Sequence, residues 1–558
     1  MCGILCLIQY GGSNIDVDMA NECLEKLNPR GPDQSNFIVK RLNTGVEIYL
    51  GFTRLAIMDL SDDGMQPFQS NQGDFVICNG EIYNYKKLAN NNKIETKTNC
   101  DCEVLLPLFN KLGINFYEEL DGEYAMVIVD KSDQKIFAVR DKYGVRPLYV
   151  GFDRETKIIG FASELKALHP IMESVEQVKP WQTIEMSFNL EMISGLTADV
   201  SDLIQYNNRE DYPKMSFDDI TEYRSEWIRS ELKNILTNCV SKRLHSDRPI
   251  GFLLSGGLDS SLITSIASNI IGPQYTTCFS IGIDGSPDVE AAKKVIAYLG
   301  IPEKNHHIIP FDTELGLQIL PNVIRDIETY DITTIRASTP QYLMANYIKE
   351  QTNIRVVLSG EGSDEIHGSY RYFRDAPNAY QFHTERTRLL RELTYFDNKR
   401  TDRTMAAHGI EVRIPFLDPE YVDFVMKIDP NLLMYKTNQM EKQLLRDSFI
   451  GSLPTEILYR SKEAFSDAVS TKEINWANSI KELANNSVFD MVSKDSGPTN
   501  SNRNKFAINK PRTPDALYFR KIFDINYYNR DNIIPHYWLP RFQKEDVLDP
   551  SATILNCY

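Results

Sequence analysis

The second residue, Cys2, would carry two reactive groups if Met1 were removed, which its small side chain favours. It would then hold a thiol and a free α-amine with an ordinary pKa of about 7.7–8.0, so the amine could act as a base toward its own thiol. A nucleophile with a base on the same residue is one established route to covalent catalysis. The alternative is a small buried cysteine in a first strand, and Cys2 taken alone favours that alternative.

A second candidate site is the string SGGLDSS, Ser255 to Ser261, which lies between the apolar run PIGFLL and a helical pattern. Glycines and hydroxyls at the start of a helix present backbone N–H groups and the positive end of the helix dipole to phosphate. The loop is not a Walker A loop, because it has no terminal Gly-Lys-Ser/Thr. The pattern therefore predicts phosphate binding of another kind.

A third candidate is VVLSGEGSDEIHGSY, which starts at Val356 and carries Glu361, Asp364 and Glu365. A strand that ends at a Gly-rich loop repeats the context of SGGLDSS. Most loops of this composition are acidic, solvated turns without a binding function. The string by itself leaves these two interpretations open.

The elements that must position these residues differ between the two halves of the chain. DFVICNGEIY, EYAMVIVD and KIFAVRD are rich in strand-forming residues, and the polar KSDQ between two of them is hairpin-like. A helix is expected around Asp101 to Lys111. This pattern predicts an α+β domain with packed antiparallel sheets.

Strands and helices alternate from about residue 225 onward. PIGFLL, TTCFSIGI and HHIIPF are strand candidates, and SPDVEAAKKVIAYLG is a helix that Ser286 can cap and Gly300 can end. Such alternation predicts an α/β domain with a parallel, helix-flanked sheet. The predicted domains are 2–197 and 225–558, with a polar linker at 198–224.

Composition limits the partners of this 558-residue chain. Its formal net charge of −16 disfavours nucleic acid and anionic membranes. No apolar run is long enough to span a bilayer, and MCGILCLIQY lacks the basic segment of a signal peptide. The nine scattered cysteines indicate reduced thiols in a cytoplasmic protein.

Several strings in the first third occur in one order: CGI, RGPD, TRLAIMDL, CNGEIYN, RDKYGVRPLY and ASELKAL. Together they resemble the class II glutamine amidotransferase domain, an N-terminal-nucleophile hydrolase fold, and most closely that of asparagine synthetases. One departure is NPRGPD, where Arg30 is kept but Pro29 replaces the residue usual at its position, which we interpret as a loop change.

This resemblance implies a role for each matched residue. Cys2 would attack the glutamine carboxamide, while the Asn79 side chain and the Gly80 N–H would form the oxyanion hole. The implied glutamine-binding residues are Arg54, Leu55, Asn79, Gly80, Glu81 and Asp101. Arg54 would hold the α-carboxylate in two parallel hydrogen bonds. Glu81 and Asp101 would bind the α-ammonium, although a helix N-terminal carboxylate is the alternative for Asp101.

The strings of the second half resemble the ATP pyrophosphatases, and their residue sequences resemble those of the asparagine synthetases very closely. The resemblance assigns Asp259 and Asp364 to Mg²⁺, Glu361 to catalysis, and Thr333 and Arg336 of ETYDITTIRASTP to aspartate. Lys442 or Lys462 would neutralise charge on pyrophosphate, with Lys462 favoured, although most lysines are simply solvated. The implied ATP-binding residues are Leu253, Leu254, Ser255, Gly256, Gly257, Asp259, Ser260, Ile281, Ser359, Gly360 and Lys462.

The resemblance extends over the whole chain and implies one reaction. Glutamine would give ammonia, and aspartate would be activated by ATP as β-aspartyl-AMP and converted to asparagine. Neutral ammonia would have to travel between the domains, and a homodimer is expected by analogy. A sugar-phosphate or phosphoribosyl amidotransferase would lack SGGLDSS, a β-lactam-type synthetase usually loses the N-terminal cysteine, and a degenerate binding protein would have lost site residues.

Overall fold

The computed structural model describes residues 1–188, 204–208, 222–436, 439–461, 470, 475–494 and 506–542. The chain forms two compact units. The first contains Met1–Glu210, His245–Arg248 and Ala406–Glu411, and the second contains Asp211–Leu244, Pro249–Met405 and Val412–Tyr558.

Most of the predicted linker, 198–224, lies outside the described residues. Within it, Ile204–Asn208 forms an edge strand of the first unit, and a helix of the second half begins at Glu222. The domain limits 2–197 and 225–558 stay predictions.

The first unit contains two six-stranded antiparallel sheets. The strands are β1 (Gly3–Gln9), β2 (Gln34–Arg41), β3 (Glu47–Arg54), β4 (Phe68–Gln69), β5 (Phe75–Ile82), β6 (Gly122–Asp130), β7 (Lys135–Arg140), β8 (Tyr149–Asp153), β9 (Ile158–Ala162), β10 (Ser174–Gln177), β11 (Gln182–Ser187) and β12 (Ile204–Asn208). One sheet has the order β10-β8-β9-β1-β3-β2, and the other has the order β12-β11-β7-β6-β5-β4. The described helices of this unit are α1 (Val17–Glu25), α2 (Tyr85–Asn92), α3 (Leu105–Leu112) and α4 (Leu165–Leu168).

The core of the first unit lies between its two sheets. Side chains on a strand point to opposite faces in turn, so alternate residues of each central strand reach this core. Ile4, Cys6 and Ile8 of β1 pack there with Ile77 of β5 and Val127 of β6. Helices α1 and α4 pack on the outer side of the β1 sheet. This packing on both faces fixes the start of β1 and therefore the position of Cys2.

The second half is built around a five-stranded sheet with the order β15-β14-β13-β16-β17. Its strands are β13 (Ile250–Leu253), β14 (Cys278–Gly282), β15 (His306–Pro310), β16 (Val356–Leu358) and β17 (Glu411–Arg413). Strands β15, β14, β13 and β16 pair in parallel. The predicted α+β first half and parallel α/β second half are confirmed.

Helices surround this sheet, and Ser286 caps one of them as predicted. Its side chain accepts from the Val289 N–H, and Gly300 ends the helix with a positive φ of 68°. No described helix is both long and apolar enough to cross a bilayer. The helices are α5 (Glu222–Arg243), α6 (Leu258–Ile271), α7 (Pro287–Leu299), α8 (Thr313–Ile327), α9 (Ile332–Gln351), α10 (Ser363–His367), α11 (Ala379–Glu392), α12 (Asp397–Ala406), α13 (Pro419–Lys427), α14 (Pro430–Leu433), α15 (Gln443–Ser448), α16 (Thr455–Leu458), α17 (Trp476–Lys494) and α18 (Pro514–Asn526).

Candidate active sites

Cys2 lies one residue before β1, where strands of both sheets of the first unit meet. Its backbone N–H donates to Oδ1 of Asn79 at 3.0 Å. Its Sγ lies 3.8 Å from the carbonyl oxygen of Leu55, which follows β3. The structure therefore brings together three predicted residues from three separate strings.

Asn79 and Gly80 lie side by side on β5 with little room around them. Asn79 is fully buried, and its Nδ2 has no hydrogen-bond partner among the described residues. A Cβ on Gly80 would lie 2.3 Å from the carbonyl oxygen of Glu123, so no larger residue fits there. A buried amide donor beside a thiol has the chemistry of an oxyanion hole, because a developing negative charge could satisfy it.

Arg30 is a site residue whose role the sequence did not reveal. Its Nε donates to the carbonyl oxygen of Cys2 at 2.8 Å, and its Nη1 pairs with Oε1 of Glu164 at 2.7 Å. Both Arg30 and Glu164 are buried. The pair therefore holds the backbone carbonyl of Cys2, while Asn79 accepts from its N–H.

The Cys2 thiol does not ionise readily in this environment. Burial raises its pKa to about 11, so the thiol is protonated near neutral pH. Burial also lowers the pKa of the Met1 amine. Met1 itself is buried, with Sδ 3.1 Å from Nη1 of Arg146. Nucleophilic attack therefore needs a base, and removal of Met1 would place an amine on Cys2 itself.

The predicted glutamine-binding Arg54 is held by backbone carbonyl groups. Its Nη1 donates to the Ser61 oxygen at 2.5 Å and to Oε1 of Gln34 at 3.2 Å, and its Nη2 donates to the Asp59 oxygen. The Asn99 N–H in turn donates to Oδ2 of Asp59 at 2.9 Å. This loop connects Arg54 with the segment that leads to Asp101.

Asp101 and Glu81 are two buried carboxylates of the first unit. Oδ2 of Asp101 accepts from the Ile82 N–H at 2.6 Å and from the thiol of Cys102 at 3.7 Å. Asp101 also begins a short 3₁₀ turn (Asp101–Val104) ahead of α3, as its alternative interpretation required. Its role in binding the glutamine ammonium stays a prediction.

A pocket of the second unit collects most of the residues predicted for ATP and aspartate. It lies at the carboxyl ends of β13 and β16, where parallel sheets commonly bind ligands. Gly256 belongs to the same loop but does not line the pocket, and Lys462 lies outside the described residues. The predicted residues that line it are Leu253, Leu254, Ser255, Gly257, Asp259, Ser260, Ile281, Thr333, Arg336, Ser359, Gly360, Glu361 and Asp364.

The SGGLDSS loop is tightly packed against its neighbours. Gly256 has a φ of 75°, and a Cβ there would lie 2.6 Å from the Ala292 nitrogen. Gly257 caps α6, whose first backbone N–H groups face the loop. A Cβ on Gly360 would lie 2.7 Å from the Ser260 nitrogen, so the two motif loops touch backbone to backbone. The glycines allow this approach, which forms a cradle suited to phosphate.

The pocket is balanced in formal charge although the chain is strongly acidic. Six basic and six acidic side chains line it, against a net charge of −16 for the chain. The basic ones are Arg336, Arg371, Arg400, Lys442, Arg446 and Arg460, and the acidic ones are Asp259, Asp288, Glu361, Asp364, Asp397 and Glu441. This is the locally less negative site that anionic substrates need.

Asp259 and Asp364 are joined by Lys442. The ammonium lies 2.7 Å from Oδ2 of Asp259 and 2.7 Å from Oδ1 of Asp364, and it is 2% exposed. Two carboxylates gathered around a cation fit the oxygen-ligand preference of Mg²⁺. Among the described residues, no group of three or more His, Cys, Asp or Glu could hold a metal, so phosphate oxygens and water would have to complete the shell.

Glu361 is paired with an arginine that the sequence did not single out. Nη2 of Arg400 lies 2.7 Å from Oε2 of Glu361 and 3.0 Å from Oδ1 of Asp397. Nη1 of Arg400 donates to Oε1 of Gln341 at 2.7 Å. These contacts fix the orientation of the Glu361 carboxylate at the pocket wall.

Thr333 and Arg336 lie in the first turns of α9, and both line the pocket. Nη2 of Arg336 pairs with Oδ2 of Asp515 at 2.7 Å, and both side chains are almost fully buried. The expected positive charge of Arg336 is therefore largely balanced by Asp515. Oγ1 of Thr333 is buried and has no partner among the described residues.

Two protein families match the chain in the same order as the two units. The glutamine amidotransferase domain matches residues 1–203, and asparagine synthase matches residues 231–394 and 375–538. The chain is thus an amidotransferase domain followed by a synthetase domain.

Curated relatives match over the full length. A probable glutamine-hydrolysing asparagine synthetase of Acanthamoeba polyphaga mimivirus is 57% identical over 100% of both chains. The glutamine-hydrolysing asparagine synthetases of Bos taurus and Homo sapiens are 38% and 37% identical, over 100% of this chain and 99% of theirs. The chain belongs to the glutamine-hydrolysing asparagine synthetase family.

One solved structure is a more distant match. The B. subtilis glutamine phosphoribosylpyrophosphate amidotransferase complexed with ADP and GMP is 17% identical, with a TM-score of 0.31, over 49% of this chain and 64% of that one.

Proposed function

We propose that the chain converts aspartate, glutamine and ATP into asparagine, glutamate, AMP and pyrophosphate. The observation that carries this proposal is the convergence of both Gly-rich loops and the Thr333–Arg336 turn on one pocket. The full-length family membership supports the same assignment.

In the glutaminase half, Sγ of Cys2 attacks the carboxamide carbon of glutamine and forms a thioester as ammonia leaves. The α-amine of Cys2, free after removal of Met1, accepts the thiol proton and later delivers it to the leaving nitrogen. Nδ2 of Asn79 and the N–H of Gly80 stabilise the oxyanion. The buried, unsatisfied Nδ2 supports this role. Water then hydrolyses the thioester to glutamate.

In the synthetase half, a β-carboxylate oxygen of aspartate attacks the α-phosphorus of ATP, and pyrophosphate leaves. The SGGLDSS loop and the start of α6 hold the phosphates, and the Thr333–Arg336 turn orients aspartate. Asp259 and Asp364 would hold Mg²⁺, which when bound neutralises negative charge on the departing pyrophosphate.

Ammonia then attacks the acyl carbon of β-aspartyl-AMP, the carbon–oxygen bond breaks, and AMP leaves. Glu361 accepts the proton that the attacking nitrogen loses. Its pairing with Arg400 supports this role, because the ion pair holds the carboxylate in place while protons move. We also infer a cytoplasmic homodimer, and the free thiols of the eight described cysteines support a reducing compartment.

Oxygen transfer tests the acyl-adenylate directly. With both β-carboxylate oxygens of aspartate labelled as ¹⁸O, the proposal predicts AMP that carries one ¹⁸O on its phosphorus. Unlabelled AMP, or label in pyrophosphate, would contradict the proposal. Added ammonium can replace glutamine, so the result does not depend on Cys2.

A further inference from the structure

Lys442 lies between Asp259 and Asp364 and directs all of its side-chain hydrogen bonds to these two carboxylates. Its Nζ lies 2.8 Å from Oδ1 and 2.7 Å from Oδ2 of Asp259, and 2.7 Å from Oδ1 of Asp364. A lysine ammonium has three N–H groups, so these contacts use all of them. The ammonium is the counter-ion of the carboxylate pair.

The backbone around Lys442 is built to point this side chain at the pair. Lys442 has a φ of 57° and a ψ of 30°, a left-handed backbone conformation that residues other than Gly and Asn seldom adopt. A neighbouring buried ion pair, Arg446 Nη2 to Glu441 Oε1 at 2.6 Å, holds the turn. Nη1 of Arg446 also donates to the Leu458 oxygen at 2.5 Å. A mobile surface lysine would need none of this support.

A divalent cation held by both aspartates would share the oxygens of Asp259 with the ammonium, which contacts both of them, as well as Oδ1 of Asp364. Two cations at one oxygen set repel each other strongly in a buried site. ATP brings several negative charges to the same pocket and offers the ammonium other acceptors. Binding of the divalent cation, the position of the Lys442 ammonium and binding of the ATP phosphates therefore depend on one another through their charges.

We propose that Lys442 is a built-in counter-cation that holds the two aspartates in the metal-free enzyme and excludes divalent metal until nucleotide arrives. When the nucleotide phosphates enter, the ammonium transfers to them and frees the carboxylates for metal. This inference rests on the proposed ATP site. Under this proposal, nucleotide binding strengthens metal binding, and metal binding strengthens nucleotide binding by the same factor.

Mn²⁺ binding without nucleotide tests the inference, with free Mn²⁺ followed by its EPR signal. Removing the competing ammonium in Lys442→Met should tighten Mn²⁺ binding at least about tenfold, a change typical of coupling between sites. Lys442→Arg keeps the charge and should gain nothing. Lys427→Met, at the exposed end of α13, is the matched control and should bind like the wild type.

Two further measurements keep the test decisive. Adding Asp364→Asn to Lys442→Met should remove the gain, which assigns the bound Mn²⁺ to this carboxylate pair. If Lys442→Met fails to fold, Lys442→Gln retains hydrogen-bond donors without the charge and should show the same gain. A folded neutral variant that binds Mn²⁺ no more tightly than the wild type would overturn the inference.

Mn²⁺ titrations with bound nucleotide test whether the ammonium moves from the aspartates to the phosphates. A non-hydrolysable ATP analogue should tighten Mn²⁺ binding in the wild type and do so much less in Lys442→Met. An equal effect in both proteins would overturn the transfer. None of these titrations requires turnover, so they can succeed or fail independently of asparagine synthesis by the wild type.

Discussion

The backbone nitrogen of Cys2 and the side-chain amide of Asn79 are joined by a hydrogen bond of 3.0 Å. This bond uses Oδ1 of Asn79 and so directs Nδ2 into a buried space where no described group accepts from it. The residue that carries the proposed nucleophile therefore orients the proposed oxyanion donor. After removal of Met1, a neutral amine at this position can keep the hydrogen bond and still offer its lone pair to the thiol.

The two activities should separate when the nucleophile is removed. Cys2→Ala should abolish glutamine hydrolysis and glutamine-dependent asparagine formation, because no thioester can form. Synthesis from added ammonium should continue, since the ATP pocket lies in the second unit. Loss of both activities in a folded variant would contradict this assignment.

Asn79→Ala should lower glutaminase kcat by about 10²–10³, the usual cost of losing one oxyanion donor. The KM for glutamine should change little, because the hydrogen bond is gained only as charge develops. Asn91→Ala, at the exposed end of α2, is the control. A change confined to KM would place Asn79 in substrate binding instead.

The reactivity of Cys2 should depend on whether Met1 is present. Burial raises the pKa of the thiol to about 11 in the chain with Met1, whereas an ordinary thiol has a pKa near 9.0. Alkylation of this form by iodoacetamide, followed by peptide mass spectrometry, should therefore keep rising up to about pH 11. The form without Met1 should react faster near pH 8. A plateau near pH 9 with Met1 retained would contradict the burial effect.

Arg336 should show two separable effects. Arg336→Met should raise the KM for aspartate, and it should also destabilise the fold by about 3–5 kcal/mol because Asp515 is left buried without its partner. Adding Asp515→Asn should restore most of the free energy of unfolding, measured in urea, but not aspartate binding. Aspartate saturation that recovers together with stability would show that Arg336 acts only as a structural residue.

Acid should destabilise the second unit through His306. Nε2 of His306 lies 2.8 Å from Oγ of Ser280, a pocket residue. Burial lowers the pKa of His306 from 6.5 to about 4. The unfolded chain therefore binds more protons between these values, and stability is lost as the pH falls through that window. His306→Gln should lose less stability between pH 7 and pH 5 in urea unfolding, and an unchanged loss would exclude this histidine.

The local features could be predicted from the sequence because they depend on neighbours along the chain. Ser286 and Gly300 mark both ends of α7, and the Gly-rich strings follow buried strands, so parallel pairing brings them to one edge. Ile204–Asn208 was not predicted, because this short run lies in a polar, acidic stretch of the chain and joins the sheet edge through backbone pairing.

The partners of the charged residues could not be predicted in this way. Lys442 lies 183 residues from Asp259, and Asp515 lies 179 residues from Arg336. Such pairs form only after the fold has buried both groups, and no local pattern marks them. The same applies to Arg400 beside Glu361. Lys442, a residue type that is usually solvated, is thus among the most buried groups of the pocket.

The most direct measurement follows all products in one reaction of the wild-type protein with [amide-¹⁵N]glutamine, aspartate, ATP and Mg²⁺. We expect asparagine that carries ¹⁵N in its side-chain amide, formed in step with equal amounts of AMP and pyrophosphate. Formation of ADP and phosphate, or no asparagine from either glutamine or ammonium, would contradict a coupled amide synthesis through an acyl-adenylate.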